Sequence, residues 1–110
     1  KLSSYSGTET TGTVNQLIGI GDNISGRNIV ILEDIIDTGI TLEKIMSLLK
    51  KENVADIKIA TLLFKPASYK SDISIDYIGK SIPNDFVVGY GLDYDEIGRN
   101  LPHIYKLKNE

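Results

Sequence analysis

Three carboxylates, two threonines and a glycine are grouped at residues 33–41, and these are side chains that bind phosphate, sugar hydroxyls or metal ions. Glu33 and Asp34 follow an apolar run. The sequence Asp-Thr-Gly-Ile-Thr at residues 37–41, here called the 37–41 turn, precedes a helical pattern. A helix N-terminus offers backbone N–H groups and the positive end of its dipole, threonine hydroxyls add donors, and glycine permits close approach. Because two carboxylates repel a bare phosphate, we expect a ligand with sugar hydroxyls or a metal ion beside its phosphate.

A simpler interpretation of the same residues needs no ligand. Asp is favoured at helix N-caps, so Asp37 would only cap the helix, and Glu33 with Asp34 would form a solvated strand end. The full combination favours the ligand site. Few sequences place two carboxylates, a third three positions later and Thr-Gly-x-Thr on one strand-to-helix turn.

Apolar periodicity predicts a strand–helix–strand unit around this turn. Residues 29–33 are predicted to form a buried strand, and residues 57–64 form the next one. The helix between them is indicated by apolar residues at the spacing i, i+3, i+4 and i+7, namely Leu42, Ile45, Met46 and Leu49. Two strands joined through a helix run parallel in one sheet, which indicates an α/β fold.

The remaining segments are predicted as shorter elements. Small polar residues at 3–13 indicate a mobile loop or a twisted β-ribbon arm. Further strands are predicted at residues 14–20, 75–78, 86–90 and 103–107. His103, the only histidine, falls in the last of these strands and is interpreted as a structural residue.

Composition excludes several classes of function. The net charge of −3 over 110 residues gives no electrostatic footprint for nucleic acid. No apolar stretch is long enough for a membrane span, and no signal peptide is visible. The absence of cysteine excludes disulfides and thiolate sites and agrees with a cytoplasmic protein. Because the chain begins at Lys1 with loop-like residues, we expect it to be a C-terminal fragment.

The stretch from Leu32 to Leu42 resembles the ribose-phosphate motif of the type I phosphoribosyltransferases, in particular their bacterial hypoxanthine (6-oxopurine) branch. The resemblance runs from about Ser3 to Tyr105 through four motifs in the expected order. It implies a largely parallel sheet with flanking helices, incomplete at its N-terminus, as a single core domain over residues 1–110. Within this domain, it implies a flexible loop at 1–14, a ribose-phosphate βαβ unit at 28–66, and purine- and pyrophosphate-side elements at 74–110.

This resemblance implies roles for the acidic residues and the turn. Glu33 and Asp34 would hold the ribose hydroxyls of phosphoribosyl pyrophosphate, directly or through Mg²⁺. The turn would wrap the 5′-phosphate with Asp37, Thr38, Gly39, Ile40 and Thr41. Asp37 would also lie near purine N7, as a general base or as a stabiliser of the proton and the developing positive charge. Ile40 stands where some family members have Lys, which marks the bacterial subtype.

On the purine side, the resemblance implies that Lys65 donates to the exocyclic O6 of hypoxanthine or guanine. Phe86 would stack on the purine ring, and backbone groups of Val87 would read its Watson–Crick edge. Asp93, grouped with these purine-side residues, would hold Mg²⁺ bound to pyrophosphate. Without the resemblance, Lys65 is a solvated strand end, and Phe86 and Val87 are core residues.

The remaining roles concern the pyrophosphate and the loop over the site. Arg99 would contact pyrophosphate, although Gly98 stands where an aromatic residue usually precedes this arginine. Ser4 and Tyr5 would belong to the flexible loop that closes during turnover. The family's pyrophosphate-binding loop lies in an N-terminal portion that this sequence does not contain.

Purine salvage is therefore the function that the resemblance implies, with phosphoribosyl pyrophosphate and a 6-oxopurine as substrates, Mg²⁺ as cofactor, and a dimer or tetramer as the whole protein. No nucleic-acid or membrane partner is expected. One alternative is a regulatory phosphoribosyl-pyrophosphate-binding protein, which often has a basic nucleic-acid-binding face. Another is an acidic-pocket module of the signalling-receiver type, which has no use for Thr-Gly-x-Thr. The use of xanthine stays open.

Overall fold

The computed structural model describes the backbone of residues 2–6, 9–16 and 23–108, and the side chains of residues 23–108. Its elements are β1 (Leu2–Ser6), β2 (Glu9–Gln16), β3 (Asn28–Ile36), α1 (Ile40–Lys50), β4 (Asp56–Phe64), β5 (Tyr77–Ser81), β6 (Val87–Val88) and β7 (Tyr105–Lys106). β3, β4 and β5 form a parallel sheet with β4 in the middle, and β1–β2 and β6–β7 are antiparallel pairs. The predicted α/β class is confirmed. In the described part of the chain, the helix falls short of the length and apolarity that a membrane span requires.

The core lies between α1 and one face of the sheet, as the strand–helix–strand pattern predicted. Its buried residues come from β3, α1 and β4, and they are Ile31, Ile36, Leu42, Leu49 and Ile59. Full burial of one such side chain contributes about 1.5–3 kcal/mol. An 11-residue helix is too short to be stable alone in water, so this contact with the sheet is what stabilises α1.

β3 differs in two respects from the buried strand predicted at residues 29–33. It continues to Ile36, so Glu33 and Asp34 lie within the strand rather than after it. It is also an edge strand, and Val30 and Leu32 are exposed on the face turned away from α1. The apolar run indicated burial on both faces, whereas α1 covers only one face within the described residues.

β5 begins two residues later than the strand predicted at residues 75–78. The backbone N–H of Asp76 donates to the Ile59 carbonyl at 3.0 Å, and the Asp76 carboxylate accepts from the Ile59 N–H at 2.8 Å. Regular pairing then starts with Ala60 opposite Tyr77. The aspartate side chain therefore replaces a backbone partner at the point where the strand was expected to begin.

The strand predicted at residues 86–90 is reduced to Val87–Val88. Gly89, Tyr90 and Gly91 have φ values of 102°, 51° and 96°, which an extended ladder does not allow. The Tyr90 N–H instead donates to the Leu101 carbonyl at 2.8 Å. The strand predicted at residues 103–107 is likewise reduced to Tyr105–Lys106, and His103 is an exposed residue before it rather than a strand residue.

At the N-terminus, the two alternatives of loop and β-ribbon arm are decided in favour of the ribbon. β1 and β2 pair from Leu2–Gln16 to Ser6–Glu9, with an irregularity between Ser3 and Tyr5. The strand predicted at residues 14–20 coincides with β2 as far as Gln16, and the rest of that prediction lies outside the described residues.

Candidate functional site

The two carboxylates of β3 have different surroundings. Glu33 is half-buried and pairs in register with Thr61 of β4, whereas Asp34 is exposed. Burial of the side chain, together with the adjacent charge of Asp34, raises the pKa of Glu33 from 4.5 to about 7. The Asp34 carboxylate accepts from the Ile35 N–H at 2.7 Å.

The 37–41 turn leads β3 into α1 through a glycine in the left-handed conformation. Gly39 is the N-cap residue, with φ 94°, and its carbonyl accepts the first helical hydrogen bond from the Glu43 N–H at 2.9 Å. The Ile40 N–H donates to the Thr38 hydroxyl at 3.4 Å. The simpler interpretation of Asp37 as the helix cap is wrong, because Gly39 holds that position and no side chain caps it.

The loop that follows β4 packs against this turn. The Lys70 N–H donates to the Thr38 carbonyl at 3.0 Å. A Cβ placed on Gly39 would lie 2.8 Å from Cε1 of Tyr69 and 2.9 Å from Cβ of Ser71. Glycine is therefore required here by a protein contact, in addition to any close approach of a ligand. Sequence reasoning missed these contacts, and the only signal was that Tyr69 is the one aromatic residue in a polar segment.

Asp37, Lys65 and Phe86 meet beside the turn, although the sequence separates them widely. Nζ of Lys65 lies 3.3 Å from Oδ2 of Asp37, and the two side chains are only 5% and 18% exposed. The same Nζ lies 6.0 Å from the centre of the Phe86 ring. The lysine is placed by the parallel ladder, because its N–H donates to the Ile36 carbonyl at 3.0 Å, just before the turn. The interpretation of Lys65 as a solvated strand end is thus wrong.

Asp93 and Arg99 form a second, more exposed charged pair. Nη2 of Arg99 lies 3.3 Å from Oδ2 of Asp93, which also accepts from the Glu96 N–H at 2.6 Å. The hydrogen bond from Glu96, with help from Arg99, keeps the pKa of Asp93 below its ordinary value. Close to this loop, Phe86 packs edge-to-face with Tyr94 at 6.1 Å, and Val87 of β6 continues the chain from Phe86.

The structure thus brings together some of the predicted site residues and leaves others apart. Contacts join Asp37, Lys65 and Phe86, and they join Asp93 and Arg99. Within residues 23–108, the acidic residues predicted for metal binding (Glu33, Asp34 and Asp93) do not form a cluster of three or more metal-binding side chains. Ser4 and Tyr5 lie in β1, and their side chains are outside the described residues.

Comparison with known proteins gave consistent matches over the whole chain. Residues 1–95 match the family model described as "Phosphoribosyl transferase domain". A hypoxanthine-guanine phosphoribosyltransferase from Staphylococcus epidermidis is 52% identical over 99% of this chain, and one from Staphylococcus aureus is 50% identical. The chain spans 62% of the length of these relatives.

Solved structures of similar proteins have the same backbone arrangement. A hypoxanthine phosphoribosyltransferase from Staphylococcus aureus matches with a TM-score of 0.85 and 50% identity, over 97% of this chain and 59% of the other. A hypoxanthine-guanine phosphoribosyltransferase from Bacillus anthracis, which holds a HEPES molecule in its active site, also gives a TM-score of 0.85. It is 44% identical, over 97% of this chain and 64% of that one.

Proposed function

The chain belongs to the phosphoribosyl transferase domain family, and from this premise we propose that it carries the ribose-phosphate and purine side of a purine-salvage enzyme. The whole enzyme would transfer the 5-phosphoribosyl group from phosphoribosyl pyrophosphate to hypoxanthine or guanine. The products would be IMP or GMP and pyrophosphate. The names of the relatives at 50–52% identity support this assignment.

The observation that carries the proposal is the meeting of Asp37, Lys65 and Phe86 beside the 37–41 turn. A 6-oxopurine has an aromatic face, an oxygen acceptor at C6 and, at N7, a proton that is lost when N9 bonds to the sugar. Phe86 offers a ring for stacking, Lys65 a buried ammonium donor for O6, and Asp37 a carboxylate beside the ammonium group. The 6-amino group of adenine offers the lysine no acceptor in place of O6, so the site favours oxopurines.

The reaction explains why an acidic side chain lies next to the purine. Departure of pyrophosphate from the anomeric carbon leaves positive charge on the ribose, and bond formation to the purine sets a proton free. Asp37 takes up that proton at N7 or stabilises the positive charge. Glu33 and Asp34 hold the ribose hydroxyls, and Thr38, Gly39, Ile40 and Thr41 surround the 5′-phosphate with donors at the start of α1. With Ile40 in place of a lysine, the phosphate depends on backbone N–H groups and hydroxyls.

The donor set is compatible with Mg²⁺ that arrives with its phosphate ligand. This cation is usually held by one or two carboxylates together with substrate phosphates and water, so a protein cluster is not required. Asp93 is a partly exposed carboxylate whose pKa is lowered, and it would hold the ion beside pyrophosphate, with Arg99 on the phosphate oxygens. Glu33 and Asp34 would contact a second such ion at the ribose. When bound, Mg²⁺ supplies positive charge to the leaving pyrophosphate.

For the whole protein, we propose a cytoplasmic dimer or tetramer with small-molecule substrates and no nucleic-acid or membrane partner. The cysteine-free sequence and the net charge of −3 support this proposal. Residues 1–110 would form one core domain. Within it, the β1–β2 ribbon, which contains Ser4 and Tyr5, would close over the substrates during turnover.

The test is nucleotide formation from Mg²⁺, phosphoribosyl pyrophosphate and each of hypoxanthine, guanine, xanthine and adenine. It is run on this chain and on a longer protein that contains it. We expect IMP and GMP from the longer protein and no AMP. Binding of phosphoribosyl pyrophosphate without any nucleotide would overturn the proposal and favour a regulatory protein.

A lysine substitution tests the purine side. Lys65→Met should raise the KM for hypoxanthine and guanine about 10- to 100-fold, because a charged hydrogen bond to O6 is lost. Lys58→Met is the control, since this lysine is half-exposed and lies near the start of β4, whereas Lys65 follows its end. Unchanged KM values in Lys65→Met would remove Lys65 from the purine site.

A further inference from the structure

Tyr69 lies outside all the predicted motifs, yet its ring is in contact with the 37–41 turn. The positive φ of Gly39 directs its missing Cβ towards the ring, where Cε1 and Cδ1 of Tyr69 would be 2.8 and 3.3 Å away. A Cβ atom essentially never lies closer than 3.0 Å to another non-bonded heavy atom. The aromatic edge therefore fills the space beside the Gly39 backbone and limits how this backbone can move.

The ring itself is held on two further sides. It packs edge-to-face on Phe64, the last residue of β4, with ring centres 5.1 Å apart. Its hydroxyl donates to the Ile73 carbonyl at 2.5 Å. Phe64 and Ile73 both pack against the core, so the Tyr69 ring connects the turn to the core.

The same loop carries the purine-side lysine. Lys65 opens the loop, the Ser68 N–H donates to the Lys65 carbonyl at 3.1 Å, and the Lys70 N–H donates to the Thr38 carbonyl at 3.0 Å. One short segment thus begins at the ammonium group that would bind the purine and ends against the turn that would bind the phosphate.

We propose that Tyr69 is a positioning residue for the 37–41 turn. Its ring fixes the Gly39 backbone so that the N–H groups at the start of α1 keep the orientation that binds a ribose 5-phosphate. This inference rests on the proposed function, since it concerns the phosphate side of the same site. A displacement of about 1 Å in such a group costs up to about 100-fold in rate or binding, so a loose turn has a measurable effect.

The experiment compares two substitutions of Tyr69 with ribose 5-phosphate as the probe. The dissociation constant is measured on the 110-residue chain from the NMR amide signals of Gly39 and Ile40. Tyr69→Ala removes the ring and is expected to raise the constant about tenfold. Tyr69→Phe keeps Cδ1 and Cε1 and is expected to bind within about twofold of the wild type. Tyr77→Ala, at an exposed tyrosine of β5, is the control for loss of a ring elsewhere.

Urea unfolding of the same variants separates positioning from stability. Tyr69→Phe loses the hydrogen bond to Ile73 and should unfold at lower urea than the wild type while it retains its affinity. A merely structural role would make affinity follow stability in both variants. If Tyr69→Ala does not fold, Tyr69→Leu, which keeps apolar bulk without the flat ring, gives the same comparison.

Each result has a separate meaning for the two proposals. Wild-type affinity in folded Tyr69→Ala, or no binding of ribose 5-phosphate by the wild type, would overturn the positioning role. If the variants behave as expected but the longer protein makes no nucleotide, the positioning role stands and the proposed transferase function fails.

Discussion

At the residue scale, Asp37 and Lys65 form an ion pair that is largely shielded from water. An ammonium group that is only 5% exposed is costly unless a carboxylate lies beside it, and Asp37 is that carboxylate. In the proposed complex with a 6-oxopurine, Lys65 would be shared between this carboxylate and O6 of the base. The ion pair holds both side chains beside the 37–41 turn.

Asp37→Asn tests the assignment of the carboxylate. The amide keeps the shape of the side chain but neither takes up a proton nor carries a negative charge. We expect kcat to fall about 100- to 1000-fold and the affinity for phosphoribosyl pyrophosphate to change less than about threefold. The measurement is steady-state kinetics of the longer protein that contains this chain. Asp72→Asn, at an exposed aspartate, is the control. Equal loss of kcat and affinity would show that Asp37 serves binding alone.

Glu33→Gln tests the raised pKa through the pH dependence of stability. An unfolded chain loses the Glu33 proton near pH 4.5, whereas the folded chain keeps it to about pH 7. The folded state thus binds more protons between these values, and the contribution of Glu33 to stability falls as pH rises through this window. Glutamine has no proton to lose in this pH range, so the variant does not lose stability in this window. The variant should match the wild type below pH 4.5 and exceed it by about 1–2 kcal/mol at pH 8.

Urea unfolding at pH 4, 6 and 8 measures this difference. Glu96→Gln is the matched control, because that carboxylate is exposed in a loop. A constant difference between Glu33→Gln and the wild type at all three pH values would contradict the burial of the Glu33 carboxyl group.

At the element scale, the start of α1 requires glycine at position 39 for its positive φ and for its close contact with Tyr69 and Ser71. Comparison with Gly26 separates these two effects. Gly39 and Gly26 both have positive φ, but a Cβ on Gly26 would meet nothing within 4 Å. Gly26→Ala should therefore lower the free energy of unfolding by only about 1 kcal/mol, because alanine disfavours the left-handed backbone conformation. Gly39→Ala adds the clash with Tyr69 and Ser71 and should cost about 2–4 kcal/mol. Equal losses in the free energy of unfolding of the two variants would show that the residues around Gly39 move to accommodate the added methyl group.

The elements differ in how far local sequence decides them. The helical spacing of apolar residues was sufficient to predict α1, because this pattern depends only on nearby residues. The ends of β5 and β6 were not predictable, since Asp76 pairs with Ile59 and Tyr90 with Leu101, both distant in sequence. The family resemblance assigned Asp37 and Lys65 to the same purine, but the direct contact between the two side chains was not predicted. The packing of Tyr69 was not foreseen at all, because a polar segment gives no periodic signal.

At the scale of the whole molecule, within residues 23–108, α1 covers one face of the parallel sheet and large apolar side chains are exposed on the other, here called the open face. Leu32 is 79% exposed, and it lies in one row with Ala60 and with Tyr77, which is 62% exposed. Parallel sheets in α/β proteins are usually covered on both faces. Among the described residues, the main apolar core therefore lies on one side of the sheet.

Two adjacent leucines of β4 test this asymmetry with the same chemical change. Leu63 is 4% exposed, whereas Leu62, which points to the opposite face of the strand, is 45% exposed. Leu63→Ala removes buried methyl groups and leaves a cavity, so the free energy of unfolding should fall by about 2–4 kcal/mol. Leu62→Ala should cost less than about 1 kcal/mol, because much of its side chain is already in water. Urea unfolding at low protein concentration measures both values. Equal losses would mean that the open face is buried in solution, and sedimentation of the wild type at rising concentration would then show whether a second copy covers it.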